Sequence, residues 1–146
     1  MEKNRYGELI LSLFVLLFLM VSPFSYAETV LITNSGSSVS SLAADEVKDL
    51  FGGKKTDLGG QKVILVVQKV SDGTDAFLKQ YLNKTSAQFL NFWKQQVFSG
   101  NGKLPKMFET EDEIVSFVSS NPGSLACISS ATCEANKDKV QKISIN

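Results

Sequence analysis

Two short polar stretches hold the residue types from which a protein can build a cradle for a small anion. Ser37, Ser38, Ser40 and Ser41 crowd the approach to one helix-like segment, and Ser71, Gly73 and Thr74 crowd the approach to another. A helix start carries unpaired N–H donors and a partial positive charge, so hydroxyls placed there suit a phosphate or a sulfate. The same hydroxyls serve equally as ordinary helix caps, and spacing alone leaves both roles open. Asp72, inside the second stretch, opposes a dianion, because like charges at about 4 Å repel by about 1 kcal/mol even in water. Lys69 and the Lys54-Lys55 pair supply local positive potential.

Catalysis has little to work with. The chain contains no histidine, which removes the commonest general base, metal ligand and pH switch together. It also lacks a Gly-x-Ser-x-Gly elbow, so no catalytic residue, no cofactor and no metal site is expected. Cys127 and Cys133 are the only cysteines. An even pair in an exported chain is expected to close a small disulfide loop that pins the turn after a strand. Their spacing excludes a redox Cys-x-x-Cys, and a metal would lack two further soft ligands.

The elements that must position these residues alternate between strands and helices. Thr29 to Thr33 is a β-branched, apolar strand run that ends in the turn formers Asn34 to Ser38. From Ser41, the residues Ala43, Val47, Leu50 and Phe51 form one helical stripe, stopped by Gly52-Gly53. Val63 to Val67 is a continuous apolar run, as a strand covered on both faces requires. The helix after the second polar stretch carries Phe77, Leu78, Tyr81 and Leu82, and Ser86 is expected to cap a further helix that buries Phe89, Leu90, Trp93 and Val97. Thr110 and Glu113 have capping-box spacing ahead of Ile114, Phe117 and Val118. Leu125 to Ile128 reads as a short buried strand, and Val140 to Ile145 as a last strand at an edge. The alternation predicts an α/β domain, a mostly parallel or mixed sheet flanked by helices on both faces. With the first two strands parallel, both polar stretches would open on one crevice at their carboxyl ends.

The amino terminus is built for export. Lys3 and Arg5 precede an apolar run from Leu9 to Val21, and Ser25-Tyr26-Ala27 supplies a small-x-small cleavage site. The run is shorter than the roughly 20 residues that a spanning helix needs, so residues 1–27 are expected to be a secretory signal peptide and no membrane span is expected after cleavage. Residues 28–146 are expected to form one domain that works in the periplasm or outside the cell. The chain carries 15 basic and 15 acidic residues, and a neutral balance argues against a nucleic-acid partner.

Three stretches together resemble the phosphate-type periplasmic substrate-binding proteins, and especially their short single-domain relatives. The first runs from Val39-Ser40-Ser41-Leu42 to Asp49-Leu50-Phe51-Gly52-Gly53-Lys54-Lys55. The second is Phe92-Trp93-Lys94 with Val97-Phe98-Ser99-Gly100-Asn101-Gly102-Lys103-Leu104-Pro105. The third is Phe117-Val118 with Asn121-Pro122-Gly123-Ser124-Leu125-Ala126. The resemblance implies a single lobe of a periplasmic-binding-protein-like fold, and an oxyanion held by hydroxyls and N–H groups at the two polar stretches. Where the family reads Arg-x-Asp-x-Ser-Gly-Thr, this chain has Gln68 to Thr74, so the arginine and the aspartate are replaced. It also has Cys127 where the family carries an aromatic residue.

The expected function is therefore an exported, non-catalytic binding module resembling one lobe of a phosphate ABC-transporter substrate-binding protein, contacting a small oxyanion weakly. The alternative is a structural or interaction domain of an envelope or signalling complex that kept the fold and lost the ligand.

Overall fold

The computed structural model describes residues 27–146, so all of the expected leader except Ala27 lies outside the described residues. Strand β1 spans Thr29–Asn34 and β2 spans Ser41–Leu42; helix α1 follows at Ala44–Phe51. A hairpin of β3 (Asp57–Leu58) and β4 (Gln61–Lys62) leads into β5 (Ile64–Gln68). Two consecutive helices, α2 (Asp72–Leu82) and α3 (Ser86–Phe98), precede β6 (Lys106–Phe108). Helix α4 (Glu111–Ser120), strand β7 (Ser124–Ser129), helix α5 (Ser130–Ala135) and strand β8 (Val140–Ile145) complete the chain.

Six strands form one mixed sheet in the order β2-β8-β1-β7-β5-β6. Strands β5, β6 and β7 run parallel, whereas β1 is antiparallel to both of its neighbours, β7 and β8. Successive residues of a strand point to opposite faces, and the two cores follow that alternation. Leu31, Leu125 and Cys127 pack on one face with α1, α2 and α3; Val30, Ile32, Ala126 and Ile128 pack on the other with α4 and α5. The expected α/β class, with a mixed sheet covered by helices on both sides, is the one observed.

Local chemistry explains where the elements begin and end. Thr110 Oγ1 accepts the Glu113 N–H at 3.3 Å while Glu113 Oε2 accepts the Thr110 N–H at 3.0 Å, the expected capping box. Helix α3 is capped by Thr85 rather than by Ser86: Thr85 pairs reciprocally with Gln88, and Ser86 sits inside the first turn with its hydroxyl on Asp75. Gly123, at φ 85°, turns the chain from α4 into β7; a Cβ there would lie 2.7 Å from the Lys62 carbonyl oxygen. Strand β8 is not an edge strand, because β2 pairs alongside it.

The cysteines do not form the expected disulfide; both are free and buried. Cys127 belongs to β7 and faces the α1–α3 side, whereas Cys133 lies in α5 on the opposite face of the sheet. The sheet itself stands between the two sulfurs. The residues between them supply the end of a strand and a short helix rather than a loop to be pinned.

Candidate functional site

The two polar stretches do not meet: the first begins with the Asn34–Ser37 turn at the end of the sheet away from Ser71, and β2 then brings Ser41 back level with Val30, but with β8 and β1 between it and β7. Thr29, at the start of β1, pairs with Ser129 at the end of β7, and Thr33 pairs with Leu125 near the start of β7. Since β5 runs with β7, the carboxyl end of β1 falls at the amino end of β5. None of Ser37, Ser38, Ser40 and Ser41 lines the cavity at Ser71–Thr74, so the shared crevice does not form. The first stretch is also not a set of helix caps. Ser41 pairs with Ser144 as part of β2, Ser38 and Ser40 are exposed, and Ser37 Oγ accepts the Val39 N–H at 3.1 Å. Ala43 occupies the N-cap of α1, with Glu46 accepting its N–H.

The second stretch does line a crevice. At the carboxyl ends of β5 and β7 a cavity of about 240 Å³ is bounded by Thr29, Ser71, Asp72, Gly73, Glu111 and Ser129, with Thr74 and Cys127 at its floor. Ser71 is the N-cap of α2, and its hydroxyl accepts the Thr74 N–H at 3.3 Å. A helix start leaves its first N–H groups without intrahelical partners, and in α2 these belong to Asp72 and Gly73. Thr29 Oγ1 donates to the Gly73 carbonyl at 3.2 Å, and a Cβ on Gly73 would come within 2.9 Å of that hydroxyl. Glycine is thus what lets β1 approach the first turn. Thr74 is buried, with its Oγ1 4.0 Å from the Cys127 sulfur. Burial pushes the Cys127 thiol up to about 12, so it stays protonated and unreactive near neutral pH.

Thr29, Glu111, Ser129 and Thr132 were not singled out in the sequence, because only the sheet order assembles them. Glu111 opens α4, and its carboxylate accepts the Ser129 N–H at 2.6 Å, the Ser129 hydroxyl at 2.7 Å and the Thr132 hydroxyl. The chain's own carboxylate thus takes donors that an oxyanion would otherwise use. With Asp72 it makes two carboxylates in a crevice that no lysine or arginine lines. Lys69 does not compensate, since it is held by Glu109 at 2.6 Å. The Lys54-Lys55 pair belongs to the other end of the molecule, against Asp49 and Glu46. Among the described residues, no buried side-chain nitrogen or oxygen lacks a hydrogen-bond partner.

No family model and no curated protein matches the chain. Solved structures do. A candidate phosphate ABC transporter substrate-binding protein from Clostridium perfringens, solved with bound phosphate, superposes with a TM-score of 0.63 over 81% of this chain at 19% identity. The fold is that of a phosphate substrate-binding-protein lobe. PstS from Borrelia burgdorferi gives a TM-score of 0.64 at 17% identity over 82% of this chain. An ABC-type phosphate transport receptor from Vibrio cholerae gives 0.53 at 14% over 81%. The chain spans only 44%, 47% and 46% of those three proteins, so it has the phosphate-binding-protein fold at less than half their length. These neighbours are binding and transport proteins rather than enzymes. No helix among the described residues is long and apolar enough to cross a membrane.

Proposed function

We propose that this chain is an exported, non-catalytic binding module: residues 1–27 are a cleaved signal peptide, and residues 28–146 act as a single phosphate-binding-protein-like lobe. Its crevice at the start of α2 takes a small oxyanion weakly, with a partner protein covering the open side. The observation that carries this reading is the convergence of the Ser71 cap, the free N–H groups of Asp72 and Gly73, and the buried Thr74 on one crevice. The phosphate bound by the neighbour from Clostridium perfringens supports the ligand class. Asp72 and Glu111 disfavour a dianion, but both accept hydrogen bonds from a protonated one, so phosphate monoanion is preferred over sulfate and binding strengthens as pH falls through the second ionisation of inorganic phosphate.

Calorimetry on the purified protein tests this. Phosphate is expected to bind at about millimolar Kd, and Asp72→Ser to improve it about tenfold, equivalent to about 1.4 kcal/mol. Intact mass is expected to begin at Glu28. The second reading, an envelope interaction domain that kept the fold without the ligand, is favoured by the crevice's two carboxylates, its lack of a cation and its satisfied polar groups. Absence of heat with phosphate and sulfate for both proteins selects that reading.

A further inference from the structure

The opposite end of the sheet carries a larger cavity, and its chemistry is the reverse of the crevice's. A groove of about 710 Å³ runs between the β4–β5 segment and the glycine-rich turn after α3. Lys55, Lys62, Lys103 and Lys106 line it, and no aspartate or glutamate does. Lys55 is neutralised by Glu46 at 2.9 Å. Lys62, Lys103 and Lys106 have no carboxylate within ion-pair distance among the described residues, leaving a net positive groove on a chain that is neutral overall. Between the lysines the walls are apolar, formed by Val63, Ile64, Leu104 and Pro105.

A second observation falls at the same place. Four large apolar side chains stand exposed among the described residues, and three of them, Val97, Phe98 and Leu104, bracket the glycine-rich turn. Phe98 is 96% exposed on the last turn of α3. Exposed aromatic and aliphatic groups gathered in one patch mark a protein-binding surface, and the lysines beside them select a partner of opposite charge. The turn itself is held in place. Trp93 donates its indole N–H to the Phe51 carbonyl at 3.1 Å, and its ring is flanked by Gly53 and Gly102, where a Cβ would lie 3.2 Å and 3.0 Å from it.

We propose that this groove docks an acidic segment of a partner protein, its carboxylates paired with Lys62, Lys103 and Lys106 and an apolar anchor set against Leu104 and Phe98. Cations distributed along both walls match separate carboxylates on an extended chain better than one anionic head. A nucleic-acid strand would want positive charge concentrated along its whole track, whereas the chain's 15 basic residues are balanced by 15 acidic ones. The proposal is independent of whether the crevice at the other end takes an oxyanion.

The test uses the purified protein and a short Asp/Glu-rich peptide carrying a central Leu-Phe pair, with binding followed by fluorescence anisotropy and backbone amide shifts. Saturable binding is expected, with shifts concentrated at Lys62 and at residues 100–106. Lys103→Glu with Lys106→Glu should weaken it about tenfold or more, and Phe98→Ser several-fold. These exposed substitutions should leave the thermal melt unchanged, and Asp72→Ser should leave peptide binding unchanged. The proposal is overturned by an absence of saturable binding, by equal binding of the Asn/Gln version of the peptide, or by insensitivity to the lysine reversals. It is equally overturned if an oligothymidylate or phosphatidylglycerol vesicles bind in preference to the peptide, or if Phe98 serves only self-association of the chain.

Discussion

Cys127 shows how far a single residue's chemistry depends on where the fold puts it. Its thiol is buried, and burial holds its pKa at about 12, against 9.0 for the exposed group. The folded state therefore keeps a proton that the unfolded state gives up between those values, so stability is fully present below about pH 9 and is lost as pH rises toward 12. Urea denaturation of wild type and Cys127→Ala across pH 8 to 11 should show a gap that shifts in favour of the variant with rising pH, by a few kcal/mol at most. Thiol labelling should find both cysteines protected in the folded protein and both reactive once it is unfolded. Glu111 is the other residue whose role comes from its neighbours. Glu111→Ala strands the Ser129 N–H and two hydroxyls and should cost about 1–3 kcal/mol in urea denaturation. Glu111→Gln, which keeps an acceptor, should cost less.

Elements with local signals could be read directly from residue order. The Thr110–Glu113 capping box is a contact within four residues, and the stripe of Val47, Leu50 and Phe51 follows from helical period alone. Ser41–Leu42 and Lys106–Phe108 were invisible as strands, because pieces of two and three residues have no periodicity and exist only through their partners β8 and β5. The turn at Asn121-Pro122-Gly123 combines both kinds of control. A glycine after proline marks a turn, yet the demand at Gly123 is tertiary as well, since the Lys62 carbonyl packs against it. Gly123→Ala meets both positive φ and that carbonyl and should destabilise by about 2–4 kcal/mol, read as a lowered denaturation midpoint. Gly59→Ala, where φ is also positive but a Cβ meets nothing, should cost less.

At the scale of the whole molecule, two cores share one sheet, and β1 and β7 contribute to both through alternate residues. Neither face can be lost without the strands that hold the other. Equilibrium unfolding should therefore be a single transition, with the fluorescence of Trp93, the chain's one tryptophan, coinciding with far-ultraviolet circular dichroism. Separate midpoints would show that the α4–α5 face melts independently. The sequence by itself determined the α/β class, most of the long elements, the cap at Thr110, and the lack of a histidine-based chemistry, because each rests on residue type or on contacts close along the chain. The tertiary structure decided the direction of β1. Alternation of apolar residues is the same for a strand read either way, and the long connection from β1 to β5 allows both. That one direction turns the chain at Asn34–Ser37 on the far end from Ser71–Thr74, leaves β2 separated from the crevice by β8 and β1, and sets Thr29 beside Glu111 in the crevice. The alternation of β7 turns Cys127 toward α1–α3, and the packing of α5 on the other face of the sheet holds Cys133 away from it. The pairing of strands distant in sequence gathers Lys62, Lys103 and Lys106 around a groove that no local pattern announces.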